Sequence, residues 1–211
     1  MNTNNICTIS FDIEGTLVTP SFSQRVWHEA IPNLFASTRG ISLDAAKKYV
    51  FEAYDQIGDH NPKWYDITYW FQRFSLNDHN DLLISCKQDI QCYPEVERVL
   101  LSLSKKYDLI AISNSTREFL NLFIEYIGYN FKETFSTLSE FGGLKTANRY
   151  RQICQHMHIS PQSLLHVGDS RQFDYDEPMH AGIKAYYLDR QGQQSCPGTI
   201  TDLDQLCNIL L

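Results

Sequence analysis

The chain has 211 residues, 43% hydrophobic and 20% charged, with a formal net charge of -7. That supports a substantial core, and the acidic balance argues against nucleic acid or an anionic membrane as the main partner. No run of about 18 apolar residues occurs, and the start MNTNNICTIS lacks the basic and apolar regions of a signal peptide, so the expected compartment is the cytoplasm.

Six cysteines, Cys7, Cys86, Cys92, Cys154, Cys196 and Cys207, are dispersed without a C-x-x-C pair. They read as packed thiols of a reduced compartment rather than as a zinc cluster or disulfide framework. Oligomeric state is not legible.

In chain order, the first predicted strand is Ile6–Phe11, which runs into FDIEGTL. Four helical segments follow: FSQRVWHEAIPNLFAS, LDAAKKYVFEAYDQI, WYDITYWFQRFS and NDLLISCKQDI. Aromatic residues recur in them at three- and four-residue spacing, as with Phe51 and Tyr54 or Tyr65 and Tyr69, and RGIS and GDHNP separate them. Alternation resumes after Tyr93-Pro94. PEVERVLLSLSKKY reads as a helix, DLIAIS as a strand, and TREFLNLFIEYIG as an amphipathic helix closed by Gly128. FSTLSEF suggests a strand or its exit; KTANRYRQICQHMH is a helix, LLHVGD a buried strand and EPMHAG a short helix. KAYYLDR is a further strand and DLDQLCNILL a terminal helix.

Strands alternating with helices predict a doubly wound parallel α/β sheet. The helical stretch after the first strand is too long for a loop. It reads as a cap over residues 20–90, inserted into a core made of 1–19 and 91–211. Such a cap would sit at the carboxyl edge of the strands, where open α/β sheets bind ligands.

That edge gathers three strand ends. The first supplies Asp12 and Glu14, the second Ser113-Asn114-Ser115, and the last Gly168-Asp169-Ser170 with Asp174 beyond it; Lys145 starts the helix between the second and last groups. Together they hold the parts of a metal-assisted phosphoryl transfer. Asp12 would be the nucleophile. Asp12 and Asp169 would hold a magnesium ion, which prefers oxygen ligands. Ser113 and the amides after it would cradle the phosphoryl oxygens. Lys145 would neutralise the remaining charge, and Glu14 would shuttle the proton. Arg117 could reach a substrate carboxylate, and one or two of Trp27, Trp64, Tyr65, Trp70 and Phe71 could face the substrate.

Those motifs, DIEGT, SNS, Lys145 and GDSRQFD in that order, resemble the phosphatase branch of the haloacid dehalogenase superfamily. The resemblance covers residues 6–17 and about 94–190 and implies a Rossmann-like core of strand order 3-2-1-4-5. It implies a small phosphorylated metabolite as partner, hydrolysed through an aspartyl-phosphate with Mg2+. Asp12 matches the nucleophile and a metal ligand, and Glu14 the acid/base, whose backbone carbonyl is also a ligand. Ser113, Asn114 and Lys145 match the phosphate site. Asp169 matches a metal ligand, and Asp174 an acid that either meets the metal through water or fixes Lys145. A 2-haloacid dehalogenase, which in this superfamily typically lacks an acid at the position of Glu14, and a non-catalytic ligand-binding relative are the alternatives. The sequence departs from the pattern in having Phe173 before Asp174, and Glu14 where an aspartate is usual. The longer side chain reaches roughly 1.5 Å farther.

Overall fold

The computed structural model describes residues 5–194 and 196–211. Six parallel strands form one sheet in the order β3-β2-β1-β4-β5-β6. They are β1 (Thr8–Phe11), β2 (Asp108–Ser113), β3 (Glu133–Ser136), β4 (Leu164–Gly168), β5 (Lys184–Leu188) and β6 (Thr199–Ile200). The predicted order 3-2-1-4-5 holds, and the two-residue β6 extends it beside β5. β1 and β4 are buried along their whole length. Strands covered on both faces favour continuous apolar runs over alternation, which is how both read in the sequence.

After β1 the chain stays helical up to β2. α1 (Ser21–Arg25), a π-helical turn (Val26–Ala30) and α2 (Ile31–Arg39) form one unbroken run, which Gly40 ends in a left-handed conformation. α3 (Leu43–Ile57) starts at Ser42, whose hydroxyl accepts from the Ala45 N–H. A 3-10 turn (Pro62–Tyr65) precedes α4 (Ile67–Phe74), since the Asp66 carboxylate caps that helix by accepting from the Tyr69 N–H at 3.1 Å. α5 (His79–Cys86) and α6 (Val96–Leu103) complete the stretch.

These helices share one apolar cluster with the face of the sheet they cover. The buried Phe22 ring meets Phe119 and Phe123 edge-on at 5.5 and 5.4 Å, on α7 (Arg117–Ile127) of the core. Such pairs contribute about 0.5–1.5 kcal/mol each beyond burial. Trp70 is fully buried, and its indole N–H donates to the Trp64 carbonyl at 3.0 Å.

The other face carries α8 (Thr137–Phe141), α9 (Ala147–His156) and α10 (Glu177–His180), while α11 (Leu203–Leu210) closes the chain against α6. FSTLSEF divides between β3 and α8, because the Ser136 hydroxyl caps the helix by accepting from the Ser139 N–H at 3.1 Å. No helix of the described residues is long and apolar enough to cross a membrane.

Strand order reverses at β1, which lies between β2 and β4. The carboxyl ends of these three neighbours therefore open onto one crevice.

Candidate active site

Asp12 follows β1, and its backbone N–H donates to the Val167 carbonyl of β4 at 2.9 Å. That bond fixes the buried Asp12 at the sheet edge. The chain then turns sharply. The Ile13 carbonyl accepts from Leu17 and Val18, and Gly15 adopts φ 82°. The Asp169 carboxylate occupies the space beside Gly15: a Cβ there would lie 2.1 Å from Asp169 Oδ2. Gly168 leaves room in the same way, since its Cβ would lie 2.4 Å from the Asp174 carboxyl carbon.

Lys145 is the electrostatic hub. Its ammonium donates to Asp12 Oδ1 at 2.6 Å and to Asp174 Oδ1, and all three side chains are buried. Its backbone N–H donates to Asn114 Oδ1 at 2.7 Å, and that oxygen also accepts from Thr137 at 3.0 Å. Asn114 thus ties the end of β2 to Lys145. Burial alone would lower the Lys145 ammonium, but the charges of Asp12 and Asp174 outweigh it and hold it above the ordinary lysine range.

Asp174 is saturated with donors. Oδ1 accepts from Lys145 and from His166 Nε2 at 3.0 Å, and Oδ2 from the Ser170 N–H at 2.9 Å. Burial works against its charge, but Lys145 and His166 prevail and hold its pKa down to about 2. A carboxylate partner requires the His166 proton on Nε2, so Nδ1 accepts from the Ser10 hydroxyl at 2.7 Å. Ser10 and His166 face each other across β1 and β4. Burial keeps His166 below its ordinary pKa, only partly offset by its bond to Asp174, and so neutral.

Glu14 lies in the same pocket and accepts a short hydrogen bond from Ser23 of α1. Burial raises its pKa to about 7, against the lowering effect of Ser23 and with the help of the Asp12 charge. Behind the turn, Arg190 donates to the carbonyls of Gly15 at 3.1 Å and Thr16 at 2.7 Å and pairs with Glu95 at 2.8 Å.

Carboxylate oxygens of Asp12, Asp169 and Asp174 lie within 4.8 Å of one another. Burial, with Asp174 adding and Lys145 opposing, raises Asp12 to about 6. Asp169 still opens to the pocket mouth, but burial of its carboxyl and the charges of Asp12 and Asp174 push it up to about 8. An all-oxygen set short of positive charge suits a hard divalent cation such as magnesium. With Asp174 committed to Lys145, His166 and Ser170, Asp12 and Asp169 are the carboxylates left to hold it.

Of the residues singled out in the sequence, Asp12, Glu14, Ser113, Asn114, Lys145, Asp169 and Asp174 all line one cavity of about 320 Å³. The Glu14 carboxylate stands outside the three-carboxylate group. Ser113 Oγ accepts from the Ser115 N–H at 3.1 Å, and the Arg117 N–H goes to Ser139 at 2.9 Å, so two of the expected phosphate-cradling amides are engaged. The Arg117 guanidinium turns away to Thr134 and Glu140. Trp27, Trp64 and Tyr65 line the cavity, whereas Trp70 and Phe71 are core. Sequence reading missed Ser10, Ser23, His166 and Arg190. A polar residue inside an apolar strand, as in TISF and LLHVG, is the signal for the first and third.

A family model described as haloacid dehalogenase-like hydrolase matches residues 6–176. Among solved structures, a HAD phosphatase from Thermococcus onnurineus superposes with a TM-score of 0.86 at 21% identity, over 97% of this chain and 98% of that one. A 2-haloacid dehalogenase from Pseudomonas syringae pv. Tomato DC3000 gives a TM-score of 0.71 at 18% identity, over 97% and 98%. The HAD-hydrolase YfnB from Bacillus subtilis, bound to magnesium, gives 0.68 at 17%, over 98% and 99%. At these identities the likeness concerns the fold. The GMP/IMP nucleotidase YrfG of Escherichia coli (strain K12) is 25% identical over 73 residues, which are 35% of this chain and 32% of that protein. The matched stretch therefore spans about a third of that relative's length.

Proposed function

Because the chain belongs to the haloacid dehalogenase-like hydrolases, we propose that it is a magnesium-dependent phosphatase, hydrolysing a small phosphomonoester through an aspartyl-phosphate on Asp12. The observation behind this reading is Glu14, a carboxyl raised to about 7 and placed in the pocket beside Asp12. A halide leaves as a stable anion and needs no proton. An alkoxide does, and a group with a pKa near the working pH both donates and recovers one.

In the first step an Asp12 oxygen attacks phosphorus, the bond to the leaving oxygen breaks, and Glu14 protonates that oxygen. In the second, the Glu14 carboxylate takes a proton from water, the water oxygen attacks phosphorus, and the Asp12–phosphorus bond breaks to release inorganic phosphate. The Lys145 ammonium, already at Asp12, balances phosphoryl charge in both steps. Asp174 and His166 keep that ammonium in place. Magnesium held by Asp12 and Asp169, with the Glu14 carbonyl as the further ligand that the family pattern implies, would screen the phosphate from the carboxylates. Residues 20–90, as a cap, would exclude water from the crevice during transfer.

A small phosphorylated metabolite, met in the cytoplasm, fits the net charge of -7 better than nucleic acid or membrane. The test is phosphate release from p-nitrophenyl phosphate and a metabolite panel with magnesium; the nucleotidase relative adds GMP and IMP. Asp12→Asn should abolish release. Full activity in that variant, or chloride release from 2-haloacids with chelator present and no phosphatase activity, would reject the reading.

A further inference from the structure

Beyond the phosphoryl-transfer groups, the cavity is lined by the aromatic residues Trp27, Trp64, Tyr65, Phe119 and Phe173 and by one more charged residue, Asp59. Trp27 stacks on Phe119, with centroids 5.6 Å apart and planes at 6°. Trp64 packs edge-on against Tyr65 at 5.0 Å. The π-helical turn (Val26–Ala30) contains Trp27, and such turns recur at functional sites.

Positive charge is confined to the floor. Among the described residues lining the cavity, Lys145 is the single cation, and it is shared between Asp12 and Asp174. Nearby cations are engaged elsewhere: Arg117 with Thr134 and Glu140, Arg171 with Asp176, Arg190 with Glu95 and the turn carbonyls. Lys63 lies over the Tyr69 ring, 5.2 Å from its centroid. Among the described residues that line the cavity, no further cation is left to meet a second anionic group, and Asp59, its side chain 68% exposed at the rim, repels one.

We infer that the cavity selects a phosphomonoester whose phosphate is its only anionic group and whose body is a flat ring, neutral or positively charged, seated against Trp64 and Tyr65. This rests on the phosphatase reading and narrows its substrate class. The aromatic faces supply stacking area and attract positive charge. Asp59 accepts hydrogen bonds from the ring or pairs with a cationic substituent. Exclusion of a carboxylate or second phosphate is discrimination by repulsion. Nucleoside monophosphates with a neutral base belong to this class; sugar bisphosphates and phosphorylated hydroxy acids do not.

The test compares kcat/KM for phenyl phosphate, 4-(aminomethyl)phenyl phosphate and 4-carboxyphenyl phosphate, with magnesium. All three esters are assayed at one pH, since His60 lies 3.7 Å from Asp59. The carboxylate ester should be at least about tenfold poorer than the neutral one, and the amine as good or better. Asp59→Lys should reverse the order of the two charged esters. Trp64→Ala should erase the binding preference for benzylphosphonate over methylphosphonate, a comparison that has no leaving-group difference. Equal efficiency on all three esters, or an unchanged order in Asp59→Lys, overturns the inference. Calorimetric titration of the matching benzylphosphonates reads the same selectivity without turnover. Binding in the expected order with no phosphate release from any ester would reject the phosphatase reading alone. Equal or absent binding would reject the cavity inference itself.

Discussion

Lys145 donates to Asp12 across 2.6 Å, although 133 positions separate them in the chain, and both side chains are buried. The same ammonium bonds Asp174, so one cation holds two carboxylates that would otherwise repel. Removing it should disable chemistry and folding together. Lys145→Met is expected to lower kcat/KM by about 10³-fold. It should also lower stability by about 3 kcal/mol through the unpaired buried charges. In wild type the depressed pKa of Asp174, about 2, contributes stability above its unfolded value that is lost only as pH falls through about 2. In the variant Asp174 rises above its unfolded value and Asp12, already raised in wild type, rises further, so the loss of stability with rising pH becomes steeper. Urea unfolding at several pH values reads that steeper loss. Parallel pH curves for the two proteins would mean that Lys145 does not set these charges.

Metal binding should depend on pH through Asp12 and Asp169, raised to about 6 and about 8. A carboxyl raised on folding makes the metal-free protein lose stability as pH climbs from about 4 toward about 8. Magnesium requires the charged forms, so its affinity tightens over the same window and binding releases protons. The magnesium-induced rise in Tm should therefore be larger at about pH 8 than at about pH 5.5. At a hundredfold excess over Kd the stabilisation is about 2.7 kcal/mol. Calorimetry in two buffers of different ionisation enthalpy counts the protons. An equal shift at both pH values would place the metal elsewhere.

The sheet and its edge were readable because their physics is local. Doubly covered strands such as LLHVG are continuous apolar runs, and polar residues stand where those runs end. Asp12, Ser113 and Asp169 announce themselves in that way. β6 escaped because two residues give no pattern. Ser10 and His166 each look like a stray polar residue, and only the β1–β4 register makes them partners. Helix rotation decides that Trp64 and Tyr65 face the cavity while Trp70 is core, and aromatic spacing alone does not encode it. Ser23 reaches Glu14 only because the turn at Gly15 brings α1 back over the site.

Gly15 offers a controlled test of the proposed metal site. Gly15→Ala places a Cβ 2.1 Å from Asp169 Oδ2 at φ 82°, so the carboxylate must move. Gly128→Ala meets the same kind of backbone strain, at φ 67°, with nothing within 4 Å. Each should cost about 1–2 kcal/mol from the left-handed backbone. Only Gly15→Ala should also weaken magnesium binding, by about tenfold or more, and lower kcat. Denaturant unfolding separates the shared effect, and magnesium titration reads the specific one. Equal magnesium affinity in the two variants would show that Asp169 does not hold the ion.

The length of Glu14 matters if its reach to Ser23 sets its proton affinity. The Ser23 bond favours the charged form, and burial opposes it, leaving a pKa of about 7. Ser23→Ala should therefore raise that pKa. In the proposed mechanism the first step needs Glu14 protonated, below its pKa; the second needs it charged, above. Raising the pKa leaves leaving-group protonation intact at neutral pH and slows activation of water. The kcat of Ser23→Ala should fall at about pH 7, and its rise with pH should move to higher pH. A covalent phospho-enzyme should then accumulate, visible by rapid quench. Glu14→Asp withdraws the carboxyl by roughly 1.5 Å and should lose the Ser23 contact as well, with kcat down by at least about tenfold. An unmoved pH profile in Ser23→Ala, with no phospho-enzyme gained, would take the proton shuttle away from Glu14.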